Sequence, residues 1–77
     1  MYKNLEEAVQ NKEHVYKLNL SRKKLDSLPN NLFQLKNLEY LDLSKNRLDH
    51  IPKKLKVLQN LEHINLSKNN FIDFPNI

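Results

Sequence analysis

Three histidines (His14, His50 and His63) and nine carboxylates are the side chains of this 77-residue chain best suited to move a proton or hold a metal ion. Metal binding would need two or three of them to converge on one point, and acid–base catalysis a matched pair. Cysteine is absent, which removes thiolate nucleophiles and sulfur ligands, and without glycine there is no Gly-rich phosphate loop. The strongest candidate is His63, which neighbours Asp42 and Asn65 if segments 23 residues apart lie side by side. Such a group could bind a metal or act as an acid–base pair. The histidines, however, fall at three different positions of that 23-residue period, so they do not gather. A neutral surface histidine is expected at 63, and no enzyme, cofactor or metal site.

The period itself organises the chain. Val15-Tyr-Lys-Leu18-Asn-Leu20-Ser-Arg-Lys-Lys-Leu25 superimposes on Leu38-Glu-Tyr-Leu41-Asp-Leu43-Ser-Lys-Asn46-Arg-Leu48 after a shift of 23. A third copy runs Leu61-Glu-His-Ile64-Asn-Leu66-Ser-Lys-Asn69-Asn-Phe71. Leu28-Pro29, Ile51-Pro52 and Phe74-Pro75 keep the same phase, as do Leu32/Leu55, Leu35/Leu58 and Asn37/Asn60. Eight apolar positions, a proline and two asparagines held in phase over two whole units are not a chance match.

The pattern LxxLxLxxNxL resembles the leucine-rich repeat family, in its short 23-residue type common in bacteria, over nearly everything after His14. The resemblance implies an α/β class fold: a right-handed leucine-rich repeat solenoid with short parallel strands on the concave face and helical or 3₁₀ returns on the convex face. It also implies a structural asparagine ladder at Asn46 and Asn69, each side chain turned inward to hydrogen-bond the turn backbone of its neighbours. The physical need is plain, because a sharply turning chain must still pair its buried amides and carbonyls. The first unit departs from the pattern with Lys23, which is expected in solvent.

Within each unit, Leu18-x-Leu20 and Leu41-x-Leu43 alternate as a strand of three to five residues would, leucines in and intervening residues out. Apolar residues at 28, 32, 35 and 38 then return near the helical period, and Pro29 and Pro52 suit the first turn of such a segment. With no glycine, the left-handed turn positions are expected on Asn30, Asn31, Asn37, Asn60, Asn69 and Asn70. Phe33, Ile72 and Ile77 stand where sister units carry Lys56, Asp49 and Lys54.

One domain over 1–77 is expected, made of an N-terminal helical cap (1–14) and repeats 15–37, 38–60 and 61–77, the last incomplete. Asn4 with Glu7 three residues on reads as a helix N-cap with a capping box, and Leu5, Ala8 and Val9 form one apolar stripe ending near Asn11. Glu6, Glu7 and Glu13 would oppose anionic lipid, which argues against a membrane-surface helix. At the other end Leu66, Phe71, Ile72, Phe74 and Ile77 form an apolar group with no following unit, a candidate surface for self-association.

A chain this short has a small core. The lack of cysteine favours a reducing compartment, and neither an apolar leader after Met1 nor any bilayer-length apolar run is present. Cytoplasm is expected, with secretion after removal of a signal, or by a route without one, as the other course. The charge of +4 and the column Arg22, Lys45, Lys68 raise an acidic surface such as nucleic acid as partner. The thin aromatic platform and the acidic residues Glu39 and Glu62 in an adjacent column argue against it.

The surface expected to bind is the concave one, with Lys17, Tyr40 and His63 in one column, Asn19, Asp42 and Asn65 in the next, then Ser21, Ser44 and Ser67, flanked by Tyr16, Glu39 and Glu62. Tyrosine among small polar residues is a composition enriched in protein contacts. A protein-interaction module is therefore expected. Its alternative is a homodimer through the C-terminal end, because three strands offer less than the ~800 Å² per partner of a stable complex.

Overall fold

Leu18, Leu41 and Ile64 each sit at the centre of a three-residue strand: β1 (Lys17–Asn19), β2 (Tyr40–Asp42) and β3 (His63–Asn65). In the structure, a computed structural model that describes residues 1–72, the three pair in parallel in the order β1-β2-β3. Lys17, Tyr40 and His63 stand opposite one another, as do Leu18, Leu41 and Ile64, and Asn19, Asp42 and Asn65. Residues 23 apart are thus neighbours in space. The ladder continues past the strands, through Leu20 N–H to Asp42 O and Leu43 N–H to Asn65 O, both 2.8 Å.

The first two strands are each followed by a return through a five-residue 3₁₀ helix, Asn30–Gln34 after β1 and Lys53–Val57 after β2. Pro29 and Pro52 stand one residue before these helices, not in their first turn. Both are extended (ψ 142° and 149°), and their carbonyls accept from Leu32 N–H at 3.2 Å and Leu55 N–H at 3.1 Å. The fixed φ of proline suits an extended residue as well as a helical one, so φ alone did not distinguish the two places.

Between sheet and returns lies a core of Val15, Leu18, Leu20, Leu32, Leu35, Leu38, Leu41, Leu43, Leu48, Leu55 and Leu58, with Ala8 and Phe33. Phe33 is buried where the next unit has an exposed lysine at 56. The N-terminal helix α1 (Leu5–Gln10) packs on the 3₁₀ helix that carries Phe33, and Lys54 Nζ lies 5.1 Å from the ring centroid. Burial falls along the stack. Leu61, Ile64, Leu66 and Phe71 are only half-buried, packed against the margin of the core.

Helix α1 begins where Asn4 Oδ1 accepts from Glu7 N–H at 3.1 Å, and ends at Asn11, whose Nδ2 donates to Glu7 O at 2.9 Å. Ala8 is buried beneath it, with Leu5 and Val9 against the core. Tyr2 forms an isolated parallel bridge to Leu18: Asn19 N–H donates to Tyr2 O at 2.8 Å, and Tyr2 N–H to Lys17 O at 3.3 Å. That pairing occupies the edge of β1 remote from β2.

The left-handed positions are not the asparagines. Arg22, Lys24, Lys45 and Lys68 have φ of 57–59°, at a cost of roughly 1–2 kcal/mol each. Asn37, Asn60 and Asn69 are needed for the side-chain bonds described below and Asn30 and Asn31 lie in the first 3₁₀ helix, while Asn70 donates its backbone N–H to Leu48 O at 2.8 Å. The four cations are exposed and unbranched, so they place a side chain in water without crowding a neighbour. No helix among the described residues is long and apolar enough to cross a membrane.

Candidate functional site

Strand alternation turns the leucines into the core and leaves Lys17, Tyr40 and His63 as one row on the other face, with Lys17 and His63 exposed and Tyr40 half-buried. Tyr16, Glu39 and Glu62 precede the strands and are also exposed. Their backbones are fixed by the ladder: Glu39 N–H and Tyr40 N–H donate to Tyr16 O at 2.8 and 3.0 Å, and Glu62 N–H and His63 N–H to Glu39 O at 2.9 and 3.0 Å. The structure therefore sets Lys17, Tyr40 and His63 in one row, with Tyr16, Glu39 and Glu62 exposed one residue before each strand.

The row Asn19, Asp42, Asn65 is differently employed. Asn19 Oδ1 accepts from both the N–H (2.9 Å) and the hydroxyl (2.7 Å) of Ser21. Asp42 Oδ1 takes the same two bonds from Ser44 at 2.9 and 2.6 Å, and Asn65 Oδ1 from Ser67 at 3.1 and 2.8 Å. These oxygens shape the turn leaving each strand, an Asx-turn that a short polar side chain can make with the backbone two residues on. The serines are accordingly no outward row: Ser44 is 6% exposed and Ser21 half-buried, while Ser67 alone is exposed. Repetition of [Asn/Asp]-Leu-Ser at 19–21, 42–44 and 65–67 is the signal that could have revealed this.

The pairing of His63 with Asp42 does not form. His63 stands opposite Tyr40, and Asp42 Oδ1 is engaged by Ser44. Among the described residues no three of His, Cys, Asp and Glu come close enough to hold a metal ion. The one ion pair among them joins His50 Nδ1 and Asp49 Oδ1 at 2.7 Å on the surface, and that hydrogen bond holds the Asp49 carboxyl below its ordinary value.

Beneath the face, Asn46 Oδ1 accepts from Lys23 N–H (2.9 Å) and Leu25 N–H (3.1 Å), while its Nδ2 donates to the carbonyls of Leu20, Leu43 and Ser44 at 2.9, 2.9 and 3.2 Å. Asn69 repeats the arrangement one unit on, accepting from Leu48 N–H at 3.0 Å and donating to Leu43, Leu66 and Ser67 at 2.9, 3.1 and 3.3 Å. A second tie runs along the returns, Asn37 Nδ2 to Glu13 O at 2.9 Å and Asn60 Nδ2 to Lys36 O at 3.1 Å. Lys23 contributes its backbone and leaves its side chain in water.

At the far end, Leu66 and Phe71 pack against the core margin, but Ile72 is 95% exposed and does not join them. Phe74 and Ile77 lie outside the described residues.

A family model described as leucine rich repeat matches residues 13–71, the stretch that holds all three strands and both asparagine ties. The chain belongs to the leucine-rich repeat family. A solved leucine-rich repeat protein of Leptospira interrogans is 35% identical, with a TM-score of 0.64 over 92% of this chain. The match covers 24% of that protein's length. A comparison with curated proteins gave no significant match. A three-stranded parallel sheet with 3₁₀ returns fits a leucine-rich repeat solenoid, and domains of this family generally mediate protein–protein contacts.

Proposed function

We propose that this leucine-rich repeat module binds a protein partner on the exposed face of its sheet. One observation carries the reading. Lys17, Tyr40 and His63 form one row on the sheet, Tyr16, Glu39 and Glu62 stand exposed one residue before its strands, and among the described residues these six side chains enter no hydrogen bond or ion pair, whereas Asn19, Asp42 and Asn65 are engaged by serines. Two tyrosines within a ridged polar surface on a rigid ladder suit a contact that orders few side chains on binding. The proposed stack is a right-handed solenoid, with Tyr2 and α1 as its N-terminal cap. Photo-crosslinkers placed separately at Tyr40, at Val57 on the return and at Ile72 test the reading. Adducts with one protein from position 40 alone support it, and adducts from 57 alone refute it.

A second reading, association of two copies through the C-terminal end, is favoured by the half-burial of Ile64, Leu66 and Phe71 and by the position of β3 at the sheet margin. Sedimentation of the wild type beside an Ile72→Asp, Leu66→Lys variant separates the two. A wild type that stays monomeric at hundreds of micromolar dismisses the dimer.

A further inference from the structure

Arg22, Lys45 and Lys68 form an exposed row just past the ends of the three strands, held in register by Arg22 N–H to Ser44 O at 3.2 Å and Lys45 N–H to Ser67 O at 2.9 Å. Neighbouring units lie about 4.8 Å apart, so three cations fall within roughly 10 Å. None has an ion-pair partner among the described residues. All three occupy left-handed backbone, where asparagine would sit with less strain. The strain and the mutual repulsion both oppose folding, and no ion pair among the described residues offsets them. At the opposite ends of β2 and β3 stand Glu39 and Glu62, likewise exposed and without an ion pair. In the second and third units the segment carrying the strand thus runs from a carboxylate to a cation over seven residues, 39–45 and 62–68.

We infer that the sheet face is electrically polar across its strands, and that the partner is a protein segment with acidic groups over Arg22, Lys45 and Lys68 and basic groups over Glu39 and Glu62. The inference rests on the sheet-face reading and specifies the partner's charge pattern. Complementary rows fix the orientation of a partner and reject wrong ones by like-charge contact. A nucleic-acid strand is the poorer match. Its charge is of one sign throughout, so a strand covering the sheet would press phosphates against Glu39 and Glu62, and the row alone is only three cations long.

The test is an NMR titration of the full chain with a synthetic peptide of an acidic and a basic block joined by a short Gly-Ser spacer, with a ten-residue oligothymidylate as the comparison ligand. We expect the block peptide to shift the amides of Lys45, Lys68 and Glu39 together with Tyr40 and His63. The triple variant R22Q/K45Q/K68Q should bind it about tenfold more weakly, while K53Q/K54Q/K56Q, which loses the same charge from the returns, should stay within about twofold. Equal weakening by the two triples would reduce the effect to net charge and overturn the inference. Tighter binding of the oligothymidylate would overturn it in favour of nucleic acid. Shifts at Tyr40 and His63 that ignore the R22Q/K45Q/K68Q change would overturn the polarity and leave the sheet-face reading standing. Shifts at Lys45 and Lys68 with Tyr40 and His63 silent would overturn both.

Discussion

Leu20, Leu43 and Leu66 occupy the same place in three successive units, yet the first two are buried and the third is half-exposed. Leu18, Leu41 and Ile64 divide in the same way. So do the asparagines: Asn46 accepts from two backbone amides of the preceding unit and is 6% exposed, while Asn69 accepts from one and is half-buried. The side chains are nearly the same, so the difference lies in what stands on their far side. The first unit has Tyr2 and α1, the second has the third, and the third has no further strand among the described residues. In a stack of units, burial belongs to the interface between neighbours, and each unit is completed by the next.

The largest effect should come from making the two ends alike. Deleting residues 1–11 removes Ala8, Leu5 and Val9 from the core and frees the edge of β1, a loss of about 4 kcal/mol or more. We expect thermal melts followed by circular dichroism to lose their cooperative transition; a monomer as stable as the full chain would show that these residues cover nothing. Next comes truncation at equivalent strand centres, where Leu41→Ala should cost ~3–4 kcal/mol and Ile64→Ala ~1–2, because a cavity penalty requires enclosure. Denaturant midpoints give both values, and equal costs would erase the gradient.

Smaller still is the difference between the asparagines. Asn46→Ala should cost ~2–3 kcal/mol, since buried amides lose their acceptor, against ~1 for Asn69→Ala and within ~0.5 for Lys23→Ala, whose side chain is in water. The smallest concerns Asp49, whose place in the third unit is taken by Ile72. Because the folded carboxyl titrates below its ordinary 3.8, its contribution is present above that value and fades as pH falls through the lowered one. NMR titration should show the depression, and His50→Ala should return Asp49 to its ordinary value; an unchanged titration would remove His50 as the cause.

The repeated apolar positions marked the strands and the returns in advance, the family resemblance added that the strands run parallel and left the returns helical or 3₁₀, and Asn4 with Glu7 and the Leu5-Ala8-Val9 stripe marked α1. Both signals are local or periodic. Tyr2 left none, since a single residue pairing with β1 has neither alternation nor neighbours to mark it as a strand. The left-handed positions were misplaced because intrinsic preference points to asparagine, whereas here Asn37, Asn60 and Asn69 are held by inter-unit bonds. The Asn19, Asp42, Asn65 row looked free because its partners, Ser21, Ser44 and Ser67, also looked outward. Only the turn geometry joins them.

Native-state hydrogen exchange at the equivalent amides of Leu20, Leu43 and Leu66 tests most directly whether each unit is completed by its neighbour. The first two donate to Asp42 and Asn65 and should exchange only through global unfolding, while Leu66 should exchange by local opening at least about a hundredfold faster, with an opening free energy roughly 3 kcal/mol lower. Equal protection of all three would contradict the gradient and mean that the third unit is closed as firmly as the others.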